Sequence, residues 1–152
     1  MQNINERLSG VCPILPTPFC EDDTIDCGSL EREVNFLLDS GVSGIALFGN
    51  ASEAFALTAA EKQQIAELVV RVNNGRVPLV FGAGGTGIEP AIDSAQWADK
   101  NGADVLMMMP PYMIKPDAQR IYDYYAAVAK AVPLPIMIQD APGACGVNIP
   151  ID

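Results

Sequence analysis

The sequence predicts a parallel α/β fold, and three observations carry the prediction. Apolar runs suited to strands begin near Val11, Val42, Val77, Asp104 and Leu134, with helix-period segments between them. The repeating βα unit is about thirty residues long, the size of successive βαβ crossovers. The runs Ile45–Phe48, Val77–Phe81, Val105–Met109 and Ile136–Ile138 are continuous rather than alternating, as strands covered on both faces are. A chain of 152 residues with 49% hydrophobic content has the means to bury a sizeable core.

Each helix has its own signal. In the first, Leu30, Val34, Leu37 and Leu38 form one apolar face that stops at Gly41. Thr58-Ala-Ala-Glu61 has the form of a capping box, after which Ile65, Leu68, Val69 and Val72 face inward. Ala91, Ala95 and Ala98 give the third helix a small-residue face for close approach. Asp117 caps the fourth, where Ile121, Tyr124, Tyr125 and Val128 recur at helical spacing, the tyrosines as packing residues.

Five strands and four helices running one way leave two architectures, an open doubly wound sheet and a closed (β/α)8 barrel. Length favours the open sheet, since a barrel typically needs about 250 residues. The segment Asn148–Asp152, with Pro150 at a plausible first turn, reads instead as the entry to a further helix. On that reading the chain is a fragment ending at its fifth helix.

A formal charge of −10 sets aside nucleic acid and anionic membrane as partners. The polar N-terminus lacks a secretory signal and no apolar run approaches a membrane span, so a cytoplasmic location is expected. Cys12, Cys20, Cys27 and Cys145 form no Cys-x-x-Cys pair and are expected to be reduced, mostly structural thiols; no metal site is expected. The absence of histidine removes every Ser-His or Cys-His nucleophile, leaving lysine, carboxylates, tyrosine and the backbone for any chemistry.

The stretch Ser43–Glu53 is a buried strand that breaks at Gly49 into a small polar turn, Gly49-Asn50-Ala51-Ser52. Backbone N–H groups and small side chains at such a turn suit a carboxylate or phosphate. The run Gly82-Ala-Gly-Gly-Thr-Gly87 matches G-x-G-x-x-G, but the acidic residue about twenty positions on, Asp104, opens the next strand instead of ending it. The glycines therefore read as a tight βα turn, and no cofactor is expected. The remaining strand ends, Pro16–Phe19, Pro110–Tyr112 and Gln139–Gly143, fall on the face where active sites of parallel α/β folds lie.

These strand ends resemble those of the dihydrodipicolinate synthase and N-acetylneuraminate lyase family of class I aldolases, from about Gly10 to the last residue. Thr17-Pro18-Phe19 is similar to the family's Thr-Pro-Phe, and Gly49-Asn50-Ala51-Ser52-Glu53 takes the place of its Gly-Thr/Ser-Thr-Gly-Glu loop. Pro111-Tyr112 resembles the Pro-Tyr after the fourth strand. Gln139-Asp140-Ala141-Pro142, then Gly146, resembles Tyr-Asn-x-Pro-x-x-Thr-Gly. The resemblance implies the N-terminal part of a (β/α)8 barrel, a single incomplete domain over residues 1–152, truncated before the sixth strand that carries the Schiff-base lysine. It implies a lyase acting on pyruvate-type 2-oxo acids, with Gln139 as catalytic residue and Asn50, Ala51, Thr17 and Tyr112 binding substrate.

Departures from the pattern bear on the reaction. Gln139 stands where relatives have the proton-relaying tyrosine, Asn50 replaces the helping hydroxyl, and Met113 replaces the tyrosine contributed across the subunit interface. Ala144 stands where some relatives have an arginine that grips a second carboxylate. The resemblance therefore fits a lyase or dehydratase of 2-oxo-3-deoxy sugar acids better than the synthase itself. The alternative is a non-catalytic half-barrel that binds 2-oxo acids or pairs with another copy. Two open sheet edges and a broad apolar surface would drive it to a homo-oligomer.

Overall fold

The computed structural model describes residues 4–150, which divide into two compact units, Met1–Gly82 and Ala83–Asp152. The first contains α1 (Ile4–Arg7), α2 (Cys27–Asp39), β1 (Ile45–Leu47), α3 (Ala59–Asn73) and β2 (Leu79–Gly82). β1 and β2 pair in parallel, Ile45 with Leu79, Ala46 with Val80 and Leu47 with Phe81. Where a strand is expected from Val11, there is only an isolated parallel bridge between Ile14 and Ala46. Its bonds are Leu15 N–H to Ala46 O and Ala46 N–H to Pro13 O, both 2.8 Å. The reason is covalent: Pro13, Pro16 and Pro18 have no N–H to donate, so a regular ladder cannot form.

The helices of this unit begin where their caps place them. Asp26 accepts from Ser29 N–H at 2.9 Å ahead of α2, and the Thr58–Glu61 capping box is complete ahead of α3. Asn74 ends α3 in the left-handed region at φ 45°, a conformation asparagine tolerates better than most residues. Leu30 and Val34 of α2, and Ile65, Leu68 and Val69 of α3, are buried with both strands. Leu37, Leu38 and Val72, assigned to the same faces, are only half-buried.

The second unit contains α4 (Ile88–Lys100), β3 (Val105–Met108), α5 (Ala118–Ala131), β4 (Ile136–Ile138) and the short α6 (Pro142–Cys145). β3 and β4 pair in parallel, Leu106 with Ile136 through Met108 with Ile138. Ala91, Ala95 and Ala98 of α4 are fully buried, as are Tyr124 and Val128 of α5. α5 starts at the expected cap, with Asp117 accepting from Arg120 N–H at 2.9 Å.

β4 departs from the expectation of a strand covered on both faces. Met137 and Ile138 are 40% and 53% exposed, whereas all four residues of β3 are buried. Ile136 and Ile138 line an apolar groove of about 510 Å³ with Ile121 and Tyr125 of α5 and Ile149. The composition of β4 is that of an interior strand, but no second layer covers it among the described residues. The helix expected over Asn148–Asp152 falls partly outside the described residues, and residues 147–150 are not helical. No helix among the described residues is long and apolar enough to cross a membrane.

Candidate functional site

In the first unit the candidate site is built on the end of β1. Phe48 leaves the strand with φ 61°, a left-handed conformation uncommon for a bulky residue. Its ring meets Phe81 of β2 edge to face at 5.3 Å between centroids, which holds the reversal in the core. Gly82 is required beside it, because a Cβ there would collide with the Phe48 carbonyl. The chain then forms a single 3-10 turn, Asn50–Ser52, closed by Glu53 in the left-handed region at φ 54°.

Two hydroxyls fasten this turn to the segment before α2. Ser52 Oγ donates to Leu15 O at 2.6 Å, and Thr17 Oγ1 donates to Ser52 O at 2.7 Å. Ser52 is buried, so its side chain is turned away from any ligand, contrary to the expectation of small side chains converging on one space. Ser52 N–H and Glu53 N–H are committed to Gly49 O and Asn50 O, at 3.1 and 3.0 Å. Asn50 and Ala51 are the exposed face of the turn. Thr17 and the Asn50–Ser52 turn are thus brought together, with Thr17 acting on the frame of the turn.

In the second unit Gln139 directly follows β4, half-buried, and its N–H donates to Met108 O at 2.8 Å. Tyr112 lies in an exposed loop after β3, 44% accessible, with Met113 and Ile114 beside it at 73% and 83%. Ala144 is an exposed residue of α6.

The glycine-rich run is also in this part of the chain. Gly85 N–H donates to Tyr124 Oη at 2.9 Å, and that hydroxyl lies 3.3 Å from Gly85 O. A Cβ on Gly85 would stand 2.9 Å from the Ala91 nitrogen, so the glycine is needed for the close entry into α4. An amide committed to a tyrosine is not presented to a phosphate, which agrees with the reading of a tight turn. Tyr124 and Tyr125 are buried as packing residues should be, but both hydroxyls have backbone partners, Tyr125 Oη donating to Met108 O at 3.1 Å. A pair of buried tyrosines in sequence was the available signal, since a buried phenol needs a hydrogen-bond partner.

None of the four lysines lies on a strand: Lys62, Lys100 and Lys130 are in α3, α4 and α5, and Lys115 is in the loop before α5. Desolvation lowers the Lys62 amine below its usual value. Burial raises the Cys12 thiol, as it does a structural cysteine. All four cysteines are free, with Cys145 buried but Cys20 exposed, so the structural role expected of them does not extend to Cys20.

The model of the dihydrodipicolinate synthetase family matches residues 7–152. Among curated proteins, the chain is 34% identical over 146 residues to the 4-hydroxy-tetrahydrodipicolinate synthase of Phocaeicola vulgatus, covering 96% of this chain and 49% of that protein. It is 36% identical to the synthase of the same name from Methanocaldococcus jannaschii, covering 92% and 48% respectively. Among solved structures, it superposes with TM-score 0.90 and 32% identity on the chloride-inhibited dihydrodipicolinate synthase of Acinetobacter baumannii complexed with pyruvate, covering 93% of this chain and 49% of that one. A prophage protein of the dihydrodipicolinic acid synthase family from E. coli K12, also in complex with pyruvate, gives TM-score 0.86 at 30% identity, covering 91% and 47%. The chain thus has the parallel α/β fold of the N-terminal half of these barrels and spans about half the length of the relatives it matches.

Proposed function

This chain belongs to the dihydrodipicolinate synthetase family, and we propose that it supplies the carboxylate-binding part of a Schiff-base lyase acting on pyruvate or on a 2-oxo-3-deoxy sugar acid. The observation that carries the reading is the turn after β1. Asn50 and Ala51 are exposed on a frame fixed by the Ser52 and Thr17 hydroxyls, and a 2-oxo acid carboxylate is the ligand we assign to it, a choice supported by two relatives solved in complex with pyruvate. In this reading the backbone of Asn50 and Ala51 holds the carboxylate and Thr17 keeps the turn in place, while Tyr112 of the second unit is assigned to substrate binding on the family resemblance. Gln139 donates a side-chain hydrogen bond to the reacting oxygen. An amide cannot take or give a proton at neutral pH, so proton transfer falls to water or to another group.

The amine that condenses with the 2-oxo carbon, expelling water, would come from a strand lysine beyond residues 1–152. The chain is then a single incomplete barrel domain of a cytoplasmic homo-oligomer that needs no cofactor. Intact mass after borohydride reduction in pyruvate, joined to an amide-resolved pyruvate titration, tests this. The chain alone is expected to remain unmodified while the Asn50 and Ala51 amides shift; a longer product carrying the additional strands gains a pyruvate-sized adduct. An adduct on one of these four lysines, or unshifted Asn50 and Ala51 amides, would overturn the assignment.

The exposed apolar side chains of β4 favour a second reading, a non-catalytic half-barrel that self-associates. Sedimentation of the purified chain separates the two: a concentration-dependent oligomer with no pyruvate-induced shifts supports the second.

A further inference from the structure

Buried tyrosines that hydrogen-bond the backbone near a candidate site can set the position of a neighbour they never touch. Two such tyrosines follow one another on α5, Tyr124 acting on the glycine loop and Tyr125 on the end of β3. Tyr124 holds Gly85 through both its N–H and its carbonyl, at 2.9 and 3.3 Å. Tyr125 donates to Met108 O at 3.1 Å, and the same carbonyl accepts Gln139 N–H at 2.8 Å.

We infer that Tyr125 is the positioning residue for Gln139, acting through the shared Met108 carbonyl. This deepens the proposed function and rests on its assignment of Gln139. A carbonyl oxygen has two lone pairs, and here one is fixed by helix α5 and the other by the residue that follows β4. The Met108 peptide is thereby locked in orientation at the last rung before the candidate catalytic side chain. Packing alone would hold that rung poorly: β4 has three residues, and Ile138, immediately before Gln139, is 53% exposed. Burial first, then the neighbouring Tyr124, Cys145 and Asp140, pushes the Tyr125 hydroxyl well above the usual phenol range. It therefore keeps its proton, and its role as donor, at neutral pH.

The test uses the isotope-labelled 152-residue chain, with pyruvate as probe and Tyr125→Phe and Tyr124→Phe as variants. Loss of one net hydrogen bond corresponds to an increase of about fivefold to tenfold in local opening. Tyr125→Phe is expected to speed exchange of the Gln139 amide by about that factor and to diminish the pyruvate-induced shift of the Gln139 side-chain NH2, leaving the Asn50 and Ala51 responses intact. Tyr124→Phe should speed exchange at Gly85 and leave Gln139 unchanged.

A Tyr125→Phe chain that melts lower but retains wild-type exchange and pyruvate response at Gln139 would overturn the inference, as would equal disturbance of Gln139 by both variants. If Gln139 of the unmodified chain ignores pyruvate, the functional assignment of that residue fails, while the exchange comparison still decides the link to Tyr125. Should Tyr125→Phe not fold, the unmodified chain must show a slowly exchanging Tyr125 hydroxyl proton with a cross-relaxation peak to the Gln139 amide; its absence rejects the link.

Discussion

Glu33 is the residue at which this chain has most to gain. Its Oε2 is buried without a hydrogen-bond partner among the described residues, and burial, then the nearby Asp26 charge, raises its carboxyl above the usual range. A carboxyl whose folded pKa is raised costs stability at neutral pH and recovers it as pH falls through that value. Glu33→Gln should therefore raise the melting temperature at pH 7, with the gain disappearing in acid; thermal melts across pH check both. Ser52 works in the opposite direction. Ser52→Ala removes the buried bond to Leu15 O and should cost about 1–2 kcal/mol in urea unfolding. It should also reduce pyruvate-induced shifts at Asn50 and Ala51, because the turn loses its anchor. Neither effect could be read in the sequence. The turn itself could, since a strand breaking into Gly-Asn-Ala-Ser is visible as a change of pattern, but which serine oxygen faces inward depends on a segment 37 residues away.

Among the elements, the helices were the most legible. Their caps and apolar faces are local in sequence, and Thr58 and Asp117 act as the N-caps read there, while Asp26 is a cap that only the structure revealed. Thr58→Ala should cost about 1 kcal/mol, seen as loss of helix α3 protection in amide exchange. The Thr58 hydroxyl and N–H also hold the Glu61 carboxyl below the usual range. Such a depressed group contributes stability at higher pH and loses it as pH falls through the carboxylate range. The acid limb of the stability profile should accordingly be shallower in Glu61→Gln than in the unmodified chain. The strands were legible as apolar runs, but not in their completeness. Three prolines reduced the first to a bridge, and the Ile-Met-Ile of β4 gave no sign that its faces would be exposed, because cover is a property of neighbours rather than of the strand.

For the whole molecule, that exposed strand and the net charge of −10 act against each other. Apolar β4 surface promotes association, while like charge opposes it and is screened by salt over about 10 Å at 0.1 M. Sedimentation should show association strengthening as salt is raised, and Ile138→Glu should abolish it at every salt concentration. The division into Met1–Gly82 and Ala83–Asp152 has an optical consequence as well. Trp97 and all four tyrosines, at 112, 122, 124 and 125, belong to the second unit. Tyrosine and tryptophan fluorescence therefore observes one half of the chain and is nearly blind to the other, whose aromatic residues are all phenylalanines, whereas far-ultraviolet dichroism weighs α2 and α3 together with α4 and α5. If the halves unfold together, the curves will superimpose; if the half with the Asn50 turn melts separately, the aromatic signal will stay flat while helix is lost.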